Sequence, residues 1–135
     1  MSEPIKLMWL SDSVLTPTGF ATVSADILSR LSTDRDFEII SIGHNYIGTT
    51  LKSATLENGD EFNFKILPGG TAPYAANTIN EYLKKYQPHV FGCLLDTFTL
   101  MGAPSMKFGW FLDYDLSPSK FLMYYPSDGE WFPYQ

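Results

Sequence analysis

Residues 5–31 read IKLMWLSDSVLTPTGFATVSADILSRL, and no other stretch limits the fold so narrowly. An apolar run with one charge, Lys6, fills residues 5–10 and closes at Ser11-Asp12. A run that is apolar at both parities suits a strand buried on both faces of a parallel sheet. A polar loop bearing Pro17 and Gly19 follows. Phe20, Val23, Ile27, Leu28 and Leu31 then recur at helical spacing and form one apolar stripe. That spacing predicts a helix over 20–32, capped near Thr18 or Gly19 and ended by Ser32-Thr33-Asp34. In a strand–loop–helix unit the backbone N–H groups at the helix entrance can face an anion or a sugar hydroxyl.

The rest of the chain extends this unit. FEIISIG at 37–43 reads as a second strand, which makes a βαβ unit with a right-handed crossover. Leu51–Glu57 and Glu61–Leu67 flank Asn58-Gly59, a hairpin signal in which both turn positions take positive φ. Phe62, Phe64 and Ile66 alternate with polar residues, so the hairpin has one buried face. Pro68-Gly69-Gly70 breaks the chain before a helix over 73–86, whose stripe is Ala75, Ile79, Tyr82, Leu83 and Tyr86. Lys84 and Lys85 suit its C-terminal dipole and Pro88 stops it. Val90–Leu95 is a buried strand ending at Asp96. Gly102, Pro104, Gly109 and Pro118 leave room for one or two short helices in 97–119. Phe121–Tyr125 is the last strand, before Pro-Ser-Asp-Gly.

The expected fold is a single α/β domain over 1–135: an open, doubly wound, mostly parallel sheet with an inserted β-hairpin. Ligands of such sheets bind beyond the carboxyl ends of the strands. Ser11–Phe20, Gly43–Gly48, Asp96–Thr99 and Pro126–Glu130 reach that edge. Asp12, His44, Asp96 and Asp128 each sit just past a strand end, where carboxylates and an imidazole can orient hydroxyls or take a proton. Asp12 equally reads as a loop cap, Asp128-Gly129 as a turn and His44 as a structural histidine. Asp96 follows five apolar residues, and a carboxylate at the tip of a buried strand is partly desolvated.

Composition excludes several classes. A net charge of −6, with nine Lys and Arg spread along the chain, gives no basic stripe for nucleic acid and does not favour an anionic membrane surface. No apolar run approaches the length of a transmembrane helix, and the N-terminus reads as a strand rather than a signal peptide. Cys93 is alone in an apolar run, so it reads as a small buried hydrophobe in a chain without disulfides. That suits a reducing, cytoplasmic setting. The phosphate-loop, dinucleotide and nucleophile-elbow signatures are missing. Two separated His and one Cys do not make a zinc site or a Cys–His pair, so no metal is expected. Aromatics make up 16% of the chain and concentrate after Tyr74. Trp110, Phe111, Tyr114, Tyr124, Tyr125, Trp131 and Phe132 read as a sugar-stacking platform, or as core or interface. As an exposed apolar edge they would favour a homodimer.

WLSDSVLTPTGFATVSADILSRL resembles the first βα unit of the family 4 retaining glycosyltransferases, which have the two-domain GT-B fold. FEIISIGHNYIG is similar to the second strand and turn of that family. KFLMYYPSDGEWFP is similar to the strand and P-x-D-G turn of one branch of it. The resemblance implies a Rossmann-like N-terminal, acceptor-holding domain of a longer two-domain enzyme. It implies transfer of a sugar from a nucleotide-sugar donor to a glycan, lipid or protein acceptor, with no cofactor and no obligatory metal. It assigns donor approach to Thr18, Gly19 and Phe20, and cleft positions to Asp96 and Asp128. The family's basic pair and acidic motif for donor binding lie in a second domain, and these 135 residues do not include them. The family loop often has two adjacent glycines where this chain has Gly19-Phe20. A stand-alone, non-catalytic binding or dimerisation module is the alternative. A flavodoxin-like or response-regulator-like domain fits less well, because only Asp12 follows the first strand and the hairpin interrupts the βα alternation.

Overall fold

The computed structural model describes residues 3–70, 75, 78–95 and 119–124. The elements in order are β1 (Ile5–Ser11), α1 (Gly19–Ser32), β2 (Phe37–Gly43), β3 (Ala54–Thr55), β4 (Glu61–Phe62), β5 (Lys65–Pro68), α2 (Ile79–Tyr86), β6 (Val90–Leu94) and β7 (Lys120–Tyr124). Five strands form one sheet in the order β5-β2-β1-β6-β7, and every neighbouring pair is parallel. The strand order reverses between β1 and β6, the point where open α/β sheets leave a crevice. The protein is therefore α/β with a parallel sheet.

Alternation along the strands sorts the core into two layers. Met8, Leu10, Ile40, Ile42, Leu67, Phe91 and Cys93 point to one face, where Ile79 and Leu83 of α2 meet them. Leu7, Trp9, Ile39, Ile66 and Leu94 point to the other, against Leu28 of α1. One helix on each face explains why β1 is apolar at both parities. Fully burying a side chain such as Leu10 or Phe91 contributes about 1.5–3 kcal/mol. Trp9 fits because Gly92 lies beside it: a Cβ on Gly92 would stand 2.7 Å from the indole ring. The indole N–H donates to the buried Ser24 hydroxyl at 3.0 Å, so the ring enters the core with its polar atom satisfied.

The hairpin differs from the expectation. Its arms pair antiparallel as Ala54–Phe62 and Thr55–Glu61, and once more at a single bridge between Leu51 and Ile66. The second arm then leaves, and Lys65–Pro68 joins the main sheet parallel to β2. The alternation of Phe62, Phe64 and Ile66 correctly marks one buried face, but Leu67 is buried too, on the opposite face. A segment buried on both faces belongs inside a layered sheet, which is why β5 joins it. The turn is also of another kind. Gly59 alone takes positive φ (95°); its N–H donates to Leu56 O, and Leu56 N–H donates to Asp60 O. This is a three-residue loop with glycine in the left-handed position. The small β-pair thus stands in the β2-to-β5 crossover, where a helix is the usual solution.

Helix α2 is shorter than the predicted 73–86. Ala75 is buried with φ 62°, outside helical geometry, and Thr78 is the N-cap residue. Thr78 donates its hydroxyl to Gly69 O at 3.0 Å instead of capping. At the other end Gln87 takes a left-handed conformation and its N–H closes on Leu83 O at 3.0 Å, just before Pro88. The expected strand 121–125 runs over Lys120–Tyr124. The short helices expected within 97–119 lie outside the described residues.

Candidate functional site

All five parallel strands end at one edge, and the loops there are fused by close backbone contact. A Cβ on Gly43 would lie 2.5 Å from the Ser13 Cβ, and one on Gly69 would lie 2.7 Å from Gly43 O and from His44 Cα. Only glycine at the ends of β2 and β5 lets the three loops approach so closely. Hydrogen bonds complete the seam. His44 N–H donates to Ser11 O at 3.0 Å and Gly69 N–H donates to Tyr46 O at 2.9 Å. Ser13 N–H donates to the Asn45 side-chain oxygen at 2.7 Å. On the β6 side the buried Ser11 hydroxyl donates to Leu94 O at 2.8 Å, across the switch point.

Asp12 organises this crest. One carboxylate oxygen lies 2.7 Å from His44 Nε2. The other accepts the Thr18 hydroxyl proton at 2.6 Å. The Thr18 Oγ1 in turn accepts from Ala21 N–H at 3.1 Å, which makes Thr18 the N-cap of α1. The His44 and Asp12 side chains are only 17% and 19% exposed, so these charge-assisted contacts are sheltered from water. His44, Asp12, Thr18 and the first turn of α1 form one connected chain of contacts. Asp12 is therefore more than a cap for its own loop: it locks that loop to the loop after β2 and to the helix entrance. The carboxylate also sits at the positive end of the helix dipole.

Thr18 spends its hydroxyl on Asp12 and Ala21, and its carbonyl accepts from the Thr22 N–H and hydroxyl. Gly19 is exposed and opens α1; a Cβ there would meet nothing within 4 Å. Phe20 is half-buried and packs against the α1-side core. Sequence reasoning placed Asp12, His44 and Thr18–Phe20 at this edge, and the structure brings Asp12, His44 and Thr18 into contact. Asp96 and Asp128 lie outside the described residues. So do Trp110, Phe111, Tyr114, Tyr125, Trp131 and Phe132, while Tyr124 is half-exposed on β7. The roles of Asn45, Ser13 and Gly69 were not foreseen, because the arm leading to Gly69 read as a hairpin rather than a sheet strand.

Among the described residues no group of three or more His, Cys, Asp or Glu could hold a metal ion. No helix there is long and apolar enough to cross a membrane. Cys93 is fully buried in the α2-side core, and burial pushes its thiol up to about 12. It is therefore a packed thiol without nucleophilic character at neutral pH. No protein-family model matches this chain, and neither a curated protein nor a solved structure matches it.

Proposed function

We propose that this protein is the N-terminal, acceptor-side domain of a retaining glycosyltransferase of the two-domain GT-B type, using a nucleotide-sugar donor. The supporting observation is the sheltered Asp12–His44–Thr18 network, set beside the strand-order switch and fixing the entrance of α1. The resemblance assigns donor approach to the backbone of Thr18, Gly19 and Phe20, and the open space over Gly19 suits that approach. The charge of Asp12 refines the role. A carboxylate already holds the helix entrance, so a second anion there meets repulsion, whereas sugar hydroxyls can both donate and accept. In this reading the loop meets the sugar of the donor, and the pyrophosphate is held by the second domain. The resemblance also assigns cleft positions to Asp96 and Asp128, which lie outside the described residues.

A second reading has its own observation. Phe121, Leu122 and Tyr124 of β7 are 36%, 53% and 49% exposed, which suits a stand-alone module that dimerises or holds a partner through this edge.

The test of the first reading is a transfer assay on the full natural protein with a panel of nucleoside diphosphate sugars and glycan acceptors, read by the anomeric proton signals. The expected result is a new glycoside whose anomeric configuration matches that of the donor. Absence of transfer with every donor, together with dimers by light scattering, would favour the second reading.

A further inference from the structure

The turn between β3 and β4 carries a reactive pair. Asn58 precedes Gly59, whereas Asn45, Asn63, Asn77 and Asn80 precede Tyr46, Phe64, Thr78 and Glu81. A backbone nitrogen reaches the side-chain carbonyl of the asparagine before it most readily when its own residue has no side chain in the way. Glu57, Asn58, Gly59, Asp60 and Glu61 are all exposed, so water and hydroxide reach the pair.

Asp60 grips both ends of the Asn58 carboxamide. Its N–H donates to Asn58 Oδ1 at 2.9 Å, and its carboxylate accepts from Asn58 Nδ2 at 3.1 Å. A backbone N–H on the carbonyl oxygen draws electrons from Cγ and stabilises the negative charge that forms when a nucleophile adds there. The nucleophile itself is held back: Gly59 N–H donates to Leu56 O at 2.9 Å. The nitrogen gives up its proton and attacks only after that bond opens. Little holds the turn closed. Leu56 N–H donates to Asp60 O at 2.8 Å, and β3 pairs with β4 at Ala54–Phe62 and Thr55–Glu61. Exposed ladders this short open at small cost.

We infer that Asn58 is a site of spontaneous deamidation and isomerisation through a cyclic imide with Gly59, and that the Gly59–Leu56 hydrogen bond sets the rate. Hydroxide takes the Gly59 N–H proton, and the nitrogen forms a bond to Asn58 Cγ. The Cγ–Nδ2 bond then breaks, and ammonia leaves once water returns a proton to Nδ2, which regenerates the hydroxide. Water next adds to either imide carbonyl. Opening at one restores the main chain with an aspartate side chain; opening at the other gives isoaspartate, whose main chain is longer by a methylene group. The net change is water in and ammonia out, with nothing oxidised or reduced. Either product places a carboxylate where the carboxamide donated to Asp60, so the turn loses that bond and gains repulsion from Asp60. Isoaspartate also lengthens the loop that Leu56 and Asp60 close. The turn shares no residue with the crest, and the inference does not depend on the proposed glycosyl transfer.

The test is incubation of the 135-residue chain at mildly alkaline pH, folded and in concentrated guanidinium chloride, followed by peptide mapping with fragmentation that separates aspartate from isoaspartate. The Asn58 peptide of the folded chain is expected to convert about tenfold more slowly than in denaturant, to isoaspartate and aspartate together, while the Asn45 and Asn63 peptides stay intact. Asn58→Gln, whose side chain would have to close a larger ring, is expected to show no conversion at that position. An intact Asn58 in the folded chain after the denatured chain has converted fully would overturn the inference. So would aspartate without isoaspartate, or conversion of Asn45 and Asn63 at the same rate. Equal rates for Asn58 in the folded and denatured chains would rule out the Gly59–Leu56 bond as the gate.

Discussion

The two edges of the sheet are built in opposite ways. At the carboxyl edge glycines remove side chains, so that Ser13, Gly43 and Gly69 meet backbone to backbone, and Asp12 ties His44 to Thr18. At the amino edge the strands start out of step, and a cleft is left between β2 and the start of β5. Its polar lining is Ser32, Glu38, Lys52, Asn63 and Lys65. The carboxyl edge is preorganised by removing freedom, while the amino edge keeps flexible charges beside a cavity. A site that orients hydroxyls needs the first arrangement.

The sharpest way to break this comparison is to add one methyl group at the crest. Gly43→Ala would place a carbon 2.5 Å from Ser13 Cβ and 2.7 Å from its Cα, and backbone cannot yield cheaply. A loss of about 2–4 kcal/mol in denaturant-unfolding stability is expected. Gly19→Ala, at the same edge but facing open space, is expected to change stability by less than about 1 kcal/mol. Equal losses in the two variants would refute the idea that close approach, and not glycine flexibility, governs the crest.

Asp12→Ala removes an acceptor from both Thr18 and His44 and should cost about 1–3 kcal/mol. Thr18→Ala loses the cap and should cost about 1 kcal/mol. Because the two residues share one hydrogen bond, the double variant should lose less than the sum, which a double-mutant cycle measures. Strict additivity would mean that Asp12 and Thr18 act separately.

Alkaline pH probes the core beneath both edges. The Cys93 thiol rises from 9.0 to about 12 on folding because burial disfavours the thiolate. Above pH 9 the unfolded chain loses this proton while the folded chain keeps it. Stability from this group is thus complete below pH 9 and declines progressively toward pH 12. Cys93→Ala should flatten that decline in pH-dependent unfolding, and an unchanged slope would contradict the burial of the thiol. The smallest effect is expected at the amino edge. Lys6 donates to Tyr86 O at 2.9 Å and lies 3.8 Å from Glu38 in a half-exposed setting, so Lys6→Met should cost only about 0.5–1 kcal/mol.

The edges also differ in how far the sequence revealed them. β1, α1 and β2 were readable nearly to the residue, because the two strands are dense apolar runs and α1 carries one apolar stripe at helical spacing. The crest was half legible: Asp12 and His44 each follow a strand end, but their pairing depends on β1 and β2 being parallel neighbours in register, Ser11 beside Gly43. β5 was hidden because Phe62, Phe64 and Ile66 keep period two straight through the bend at Phe64, so local alternation pointed to one long hairpin arm. Only Leu67, buried on the other face, marks a strand that is covered on both faces. The cleft at the amino edge has no sequence signature, since it arises from the register of β5 on β2.

The central claim is that the loop held by Asp12 meets the sugar of a nucleotide-sugar. The most direct measurement is a residue-resolved ¹H–¹⁵N titration of the chain with a panel of uridine and guanosine diphosphate sugars, repeated on Asp12→Asn. The account predicts saturable shifts at Gly19, Phe20 and His44 with at least one of them, weakened in the variant while the fold is kept. Shifts that bypass this loop, or that are the same in the variant, would contradict it.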